Sequence, residues 1–275
     1  MIPSFTGVRR GYSLGVPFTV TAPLRLLTGT APVFLFALLV TTLSAQWPNA
    51  LPRGFPRTPD GKPDLYASPP KLADGRTDFS GIWQVDNNRL QFNLMADGPA
   101  VDLQTAAAEI YKQRLAGRGK DRPSAHCLPH GVPDAMMIPA PFKFVHTPGL
   151  TLILFEEFID FRQIFTDGRP LPKNPEPAWF GYSIGRWEGR DFVIESSGFN
   201  DRSWLDDNGH PHSEALRTTE RFRRLNYGQM LMEITINDSK SYVKPWTATL
   251  TFHLLPDTEF TEYVCENPNP DAVPQ

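Results

Sequence analysis

The chain has 275 residues and 40% hydrophobic content, enough to bury a full core in one or two domains. A formal net charge of −3 and the lack of any basic run exclude the electrostatic footprint of a nucleic-acid-binding surface. Its 28 prolines fall mostly in loop-like stretches, which argues against a helical bundle and for β-structure with irregular connections.

Arg9, Arg10 and Arg25 precede an apolar run at 32–40, which ends in Thr41-Thr-Leu-Ser-Ala45. A basic region, a short apolar core and a small final residue predict a secretory signal over 1–45. Cleavage is expected after Ala45, with retention as an anchor the alternative. The run is too short for a comfortable transmembrane helix, so no membrane span is expected after cleavage. The protein is therefore expected to be exported, periplasmic or secreted. Residues 46–78 form a Pro- and Gly-rich extension with a near-repeat. Asp60-Gly-Lys-Pro-Asp-Leu65 returns as Asp74-Gly-Arg-Thr-Asp-Phe79, each a turn followed by an apolar anchor.

A domain over 79–267 follows, with a tail at 268–275. Thr105-Ala-Ala-Ala-Glu-Ile-Tyr-Lys-Gln-Arg-Leu-Ala116 is rich in helix formers and predicts a helix. Thr105 would be its N-cap, and Ala107, Ile110, Tyr111 and Leu115 its packed stripe. Everything else reads as strands: 79–85, 142–146, 150–155, 161–165, 180–187, 192–197, 216–224, 230–236, 246–255 and 259–264. Alternation is clear in Leu231-Met-Glu-Ile-Thr-Ile236 and Thr247-Ala-Thr-Leu-Thr-Phe252. Short turns dominate, so the expected fold is all-β and mainly antiparallel. A meander this long removes its edges best by closing into an up-and-down β-barrel with one inserted helix.

His126, Cys127 and His130 are close enough to suggest metal ligation. With only two cysteines in a chain read as exported, a Cys127–Cys265 disulfide is the simpler expectation.

Three further stretches could carry chemistry. Gly181-Tyr-Ser-Ile-Gly185 matches a nucleophile-elbow pattern, and Asp206 and His212 would complete the order Ser, Asp, His. The residues after Ser183 read as a turn into another strand rather than a helix, so a plain strand serine is expected. Asn200-Asp-Arg-Ser-Trp-Leu-Asp206 offers Asp201 and Arg202 as a recognition pair, with an Asx-turn as the bland alternative. His210-Pro-His-Ser-Glu214 spaces His210, His212 and Glu214 by two around a proline, which predicts three polar side chains on one face. They could bind a divalent metal or act as acid and base, or merely be structural.

Gly81-Ile-Trp83 at the head of the first strand resembles the opening signature of lipocalins and related calycin barrels. That resemblance implies a tryptophan plugging the closed barrel end against an arginine from a late strand. The last two predicted strands carry no arginine. More widely, the chain resembles a family of uncharacterised secreted bacterial proteins. The likeness is carried by Pro59-Asp-Gly-Lys-Pro-Asp-Leu65, Gly181-Tyr-Ser-Ile-Gly-Arg-Trp-Glu-Gly189, Gly198-Phe-Asn-Asp-Arg202, Gly209-His-Pro-His-Ser-Glu214 and Tyr263-Val-Cys-Glu-Asn267. This resemblance implies export and one compact domain, and no activity.

Two functions follow from this reading. One is a barrel that binds a small, amphipathic molecule at its mouth, with Arg202, Trp204 and Tyr182 as contacts. The other is an enzyme on the same barrel, a hydrolase, lyase or isomerase using His210, His212, Glu214, Asp201 and Asp206, with a divalent metal as its conceivable cofactor.

Overall fold

The computed structural model describes residues 54–86, 92–96 and 101–265, so the expected signal over 1–45 and the tail at 268–275 lie outside the described residues. Nine strands close into a barrel in sequence order. They are β1 Gly81–Val85, β2 Phe142–Thr147, β3 Leu150–Phe155, β4 Phe161–Phe165, β5 Tyr182–Glu188, β6 Asp191–Ser197, β7 Arg217–Arg224, β8 Gln229–Asn237 and β9 Trp246–Leu254. The ring closes where β1 pairs antiparallel with both β2 and β9. An odd number of strands cannot alternate in direction all the way round, so one neighbouring pair must be parallel. That pair is β4 and β5, in register at only two positions, Ile164↔Ser183 and Phe165↔Ile184.

Strand alternation decides what fills the barrel. Trp83, Phe142, Phe144, Ile153, Phe192, Phe222, Met232, Leu250 and Phe252 come from inward positions and are buried together in one core. Phe142 meets Phe252 edge-on at 5.1 Å, and Phe144 meets Phe222 likewise at 5.3 Å. The interior is packed with side chains, as in small barrels generally.

At one end Trp83 donates its indole N–H to Phe79 O at 2.9 Å. The Arg224 guanidinium lies 4.8 Å over its ring and donates to Asp78 O and Ser80 O. A tryptophan–arginine stack thus lies at this end of the barrel. Its arginine comes from the end of β7, which is why the last two predicted strands lack one. Also near this end, His146 is caged by Phe79, Phe144, Trp187 and Phe192. Its Nε2 accepts from Phe79 N–H, and its Nδ1 bonds the Thr151 hydroxyl at 2.9 Å. Burial pushes the imidazole down to about 4, so it is neutral.

The opposite end, here called the rim, gathers the long connections β1–β2, β3–β4, β6–β7 and β8–β9. The segment 132–138, part of the β1–β2 connection, packs Val132, Ala135, Met136 and Met137 into the core. Helix α1, Thr105–Ala116, lies on the same end. It spans the expected residues, but Gln104 is its N-cap and Ile110 and Leu115 are exposed. Its contacts run instead through Ala107, Tyr111 and Arg114, because the surface it covers is a polar loop. Among the described residues no helix is long and apolar enough to cross a membrane.

Residues 259–264 are not a strand. Glu259-Phe-Thr-Glu262 forms no ladder, and only Tyr263 makes an isolated parallel bridge, with Glu157. The segment runs back to the rim, where Cys265 is disulfide-bonded to Cys127.

Candidate functional site

The β6–β7 loop, 198–216, is clamped at the rim rather than left in solvent. Asp206 is fully buried and organises it. Its Oδ2 accepts from Leu94 N–H at 2.8 Å and meets His210 Nδ1 at 2.6 Å, while Oδ1 accepts from His210 N–H at 3.1 Å. The His210 ring stacks on Tyr111 of α1, centroids 4.3 Å apart. The Asn208 amide donates to the Tyr111 hydroxyl. Arg114 lies 4.5 Å over the buried Trp204 ring and donates to Gly209 O.

His212 has different partners. Its Nδ1 lies 3.2 Å from Ser213 O, which can only accept, so that nitrogen carries the proton. Nε2 is then left to accept from the Ser203 hydroxyl at 2.7 Å. Burial keeps the imidazole pKa below its ordinary value. A serine–histidine pair in this tautomer has the form of a nucleophile and base. Yet Ser203 is wholly buried and no carboxylate orients Nδ1, so the pair holds the loop together.

The expectation that His210, His212 and Glu214 share one face is therefore corrected. The two imidazoles are buried against separate partners, whereas Glu214 is exposed and borders another cleft beside Pro175 and Arg217. The turn at Ser213, whose N–H and hydroxyl both bond Asp238, rotates the backbone and breaks the alternation that the spacing assumed. Asp201 is exposed, and Asn200 accepts from Arg202 N–H in an Asx-turn. Arg202 lies 5.0 Å over Trp179, which with Tyr182 lines an outer cleft at the β4–β5 seam, and the Tyr182 hydroxyl accepts from Arg169. Ser183 is the second residue of β5 and fully buried, and the strand continues past it to Glu188 with no turn into a helix, which excludes an elbow.

Next to Asp206 in sequence, Asp207 turns the other way, into a rim cleft of about 440 Å³. Phe92, Ile138 and Tyr263 wall the cleft, and His130, Glu157 and Asp207 supply its polar face. Behind His130 lies Asp134, with Nδ1 to Oδ2 at 2.6 Å. His130 is 6% exposed and Asp134 3%. The other edge of each group is unmet: His130 Nε2 and Asp134 Oδ1 have no hydrogen-bond partner. Glu157 Oε2 stands 3.6 Å from Nε2, and Arg122 pairs with Asp207 at 3.2 Å. Burial opposes charge on His130, but Asp134 and Glu157 outweigh it and hold its pKa well above the ordinary histidine value. Burial also raises Asp134 and Asp207, and it lifts the nearby Asp160 to about 6.

Among the described residues, His130, Asp134 and Asp207 form the one group of three metal-ligating side chains, with ligand atoms all within 4.8 Å of one another. No family model and no curated protein matches the chain. The likeness to secreted bacterial proteins therefore stands on its sequence motifs alone, and the chemistry must be read from the site.

Sequence reading noticed His130 but joined it to His126 and Cys127, whose thiol is spent in the disulfide. The legible signal was the i, i+4 pairing of His130 with Asp134 across a Gly-Val-Pro turn. The same spacing recurs in Asp206 and His210.

Proposed function

We propose that the chain is an exported β-barrel protein that binds a small polar molecule in the rim cleft. The basic, then apolar amino terminus and the Cys127–Cys265 disulfide support export, since disulfides persist in oxidising compartments. The barrel interior is packed, so a ligand meets the protein at a surface cleft, and the rim cleft is the one with buried polar groups at its base. The observation that carries the reading is His130: a buried imidazole bordering the cleft, whose Nε2 makes no hydrogen bond and faces the Glu157 carboxylate only at 3.6 Å. Buried polar groups are nearly always paired, so an unmet one in a concave site is an invitation to a ligand.

Glu157 and Asp207 line the cleft beside Arg122, so the ligand carries a cationic or strongly donating group for those two carboxylates. In this reading Asp206, His210, His212, Ser203 and Trp204 are positioning residues that hold the loop, while Asp207 touches the ligand. The enzymatic alternative, acid–base work by His210, His212 and Glu214, has less support, because both imidazoles are already committed to buried partners.

Thermal denaturation of chelator-stripped protein against alkylamines from ethylamine to spermidine tests this. Stabilisation of the wild type is expected, lost in Asp207→Asn and Glu157→Gln and kept in Glu214→Gln. Equal stabilisation of all four proteins would refute the cleft.

A further inference from the structure

We infer that His130, Asp134 and Asp207 form a binding site for a first-row divalent transition-metal ion at the base of the rim cleft. The inference deepens, and rests on, the reading of that cleft as the ligand site. Three observations lead to it. The ligand atoms of these residues converge to within 4.8 Å of one another, a spacing that a single ion can draw together. Oδ1 of Asp134, a member of the group, is buried and has no hydrogen-bond partner, and a buried carboxylate oxygen left unmet is costly. The donors also come from two separate pieces of chain, the 130–134 segment and the β6–β7 loop at 207, which meet at the rim.

The ion takes the place of the hydrogen bond between His130 Nδ1 and Asp134 Oδ2, and the unmet Oδ1 of the same carboxylate then serves as a second donor to it. Nδ1 and Oδ2, 2.6 Å apart, need only open to the roughly 3 Å separation of neighbouring ligands whose metal bonds are about 2.0–2.2 Å long. Glu157, 3.6 Å from Nε2, then takes the outer position: ligating histidines commonly give their second ring N–H to a carboxylate. One imidazole with two carboxylates, open to the cleft, suits zinc or manganese and leaves coordination positions for water or for a donor group of the organic ligand. Calcium and magnesium, which demand oxygen ligands, are excluded by the imidazole.

The test is calorimetric titration of metal-free full-length protein with zinc chloride, with circular dichroism confirming that each variant is folded. One equivalent is expected to bind the wild type and Glu214→Gln. Binding should be lost in His130→Gln and Asp207→Asn, and weakened about 10- to 100-fold in Glu157→Gln. Asp207 is partly exposed, so its variant keeps the test valid even if changes at His130 disturb folding. Absence of zinc binding, unchanged affinity in Asp207→Asn, or calcium binding as tight as zinc would each overturn the inference. If alkylamines stabilise the protein while zinc does not bind, the metal site falls and the cleft reading stands. If zinc binds at these residues and no amine stabilises the protein, the metal site stands and the organic ligand falls.

Discussion

Arg162 and Glu220 face each other inside the barrel wall, 1% and 0% exposed, and each guanidinium nitrogen of Arg162 is used. Nε donates to Ser183, Nη1 to Glu220, and Nη2 to both Glu220 and Ser196, all between 2.6 and 3.1 Å. His130 and Asp134, at the rim, are buried almost as deeply, yet Nε2 and Oδ1 have no hydrogen-bond partner. The two clusters share residue chemistry and burial and differ in completeness. A buried charge that is fully bonded serves the fold, while one left half-bonded beside a cleft costs stability and is retained for something else to complete.

The largest expected effect concerns what holds the rim together. Cys127→Ser with Cys265→Ser opens a loop spanning 138 residues and should cost about 5 kcal/mol by chain entropy. Tyr263, which walls the cleft and pairs with the 156–158 segment, should be released with it. Urea unfolding measures the loss, and a loss below about 1 kcal/mol would show that the rim is held without the bridge. Next comes Glu220→Ala, which strands the Arg162 charge and should cost about 3–5 kcal/mol. The double change Arg162→Met, Glu220→Leu should recover most of that. If the double variant is as unstable as the single one, the wall network is not a self-contained unit.

The His146 prediction is a pH effect. Its folded pKa of about 4 lies below the ordinary 6.5, so the unfolded chain binds the proton first as pH falls. Stability from this group is complete above pH 6.5 and is lost between 6.5 and 4, by about 3 kcal/mol. Comparing wild type with His146→Phe isolates the effect from Asp160, whose raised pKa acts in the opposite sense. Parallel pH profiles for the two proteins would contradict it. The smallest effect belongs to the rim: Asp134→Asn should change stability by less than about 1 kcal/mol, or raise it, because sites kept for ligands are not optimised for the empty fold. A loss as large as that of Glu220→Ala would place the rim cluster with the wall network and end the contrast.

Helix propensity made α1 legible to the residue, and alternation found all nine strands within a few positions, since one buried face imposes a period of two. Residues 259–264 looked like a tenth strand by composition. With the ring already closed by β1 and β9, no edge remained for them. The wall network could have been suspected from Arg162 and Glu220, charged residues at inward positions of otherwise apolar alternation. The rim site was harder. Its loop stood out by its density of polar groups, most of which lie buried at the rim. Which side chain reaches the cleft depends on a turn that points Asp206 inward and Asp207 outward, and neighbouring identical residues carry no local signal of that.

Anomalous diffraction at the zinc edge, from crystals of the protein grown with zinc, tests the contrast most directly. The account predicts a single strong peak bonded to His130 and Asp134, with none at the Arg162–Glu220 network. A peak only at the exposed His253–Asp86 pair, or no peak at the rim, would contradict it.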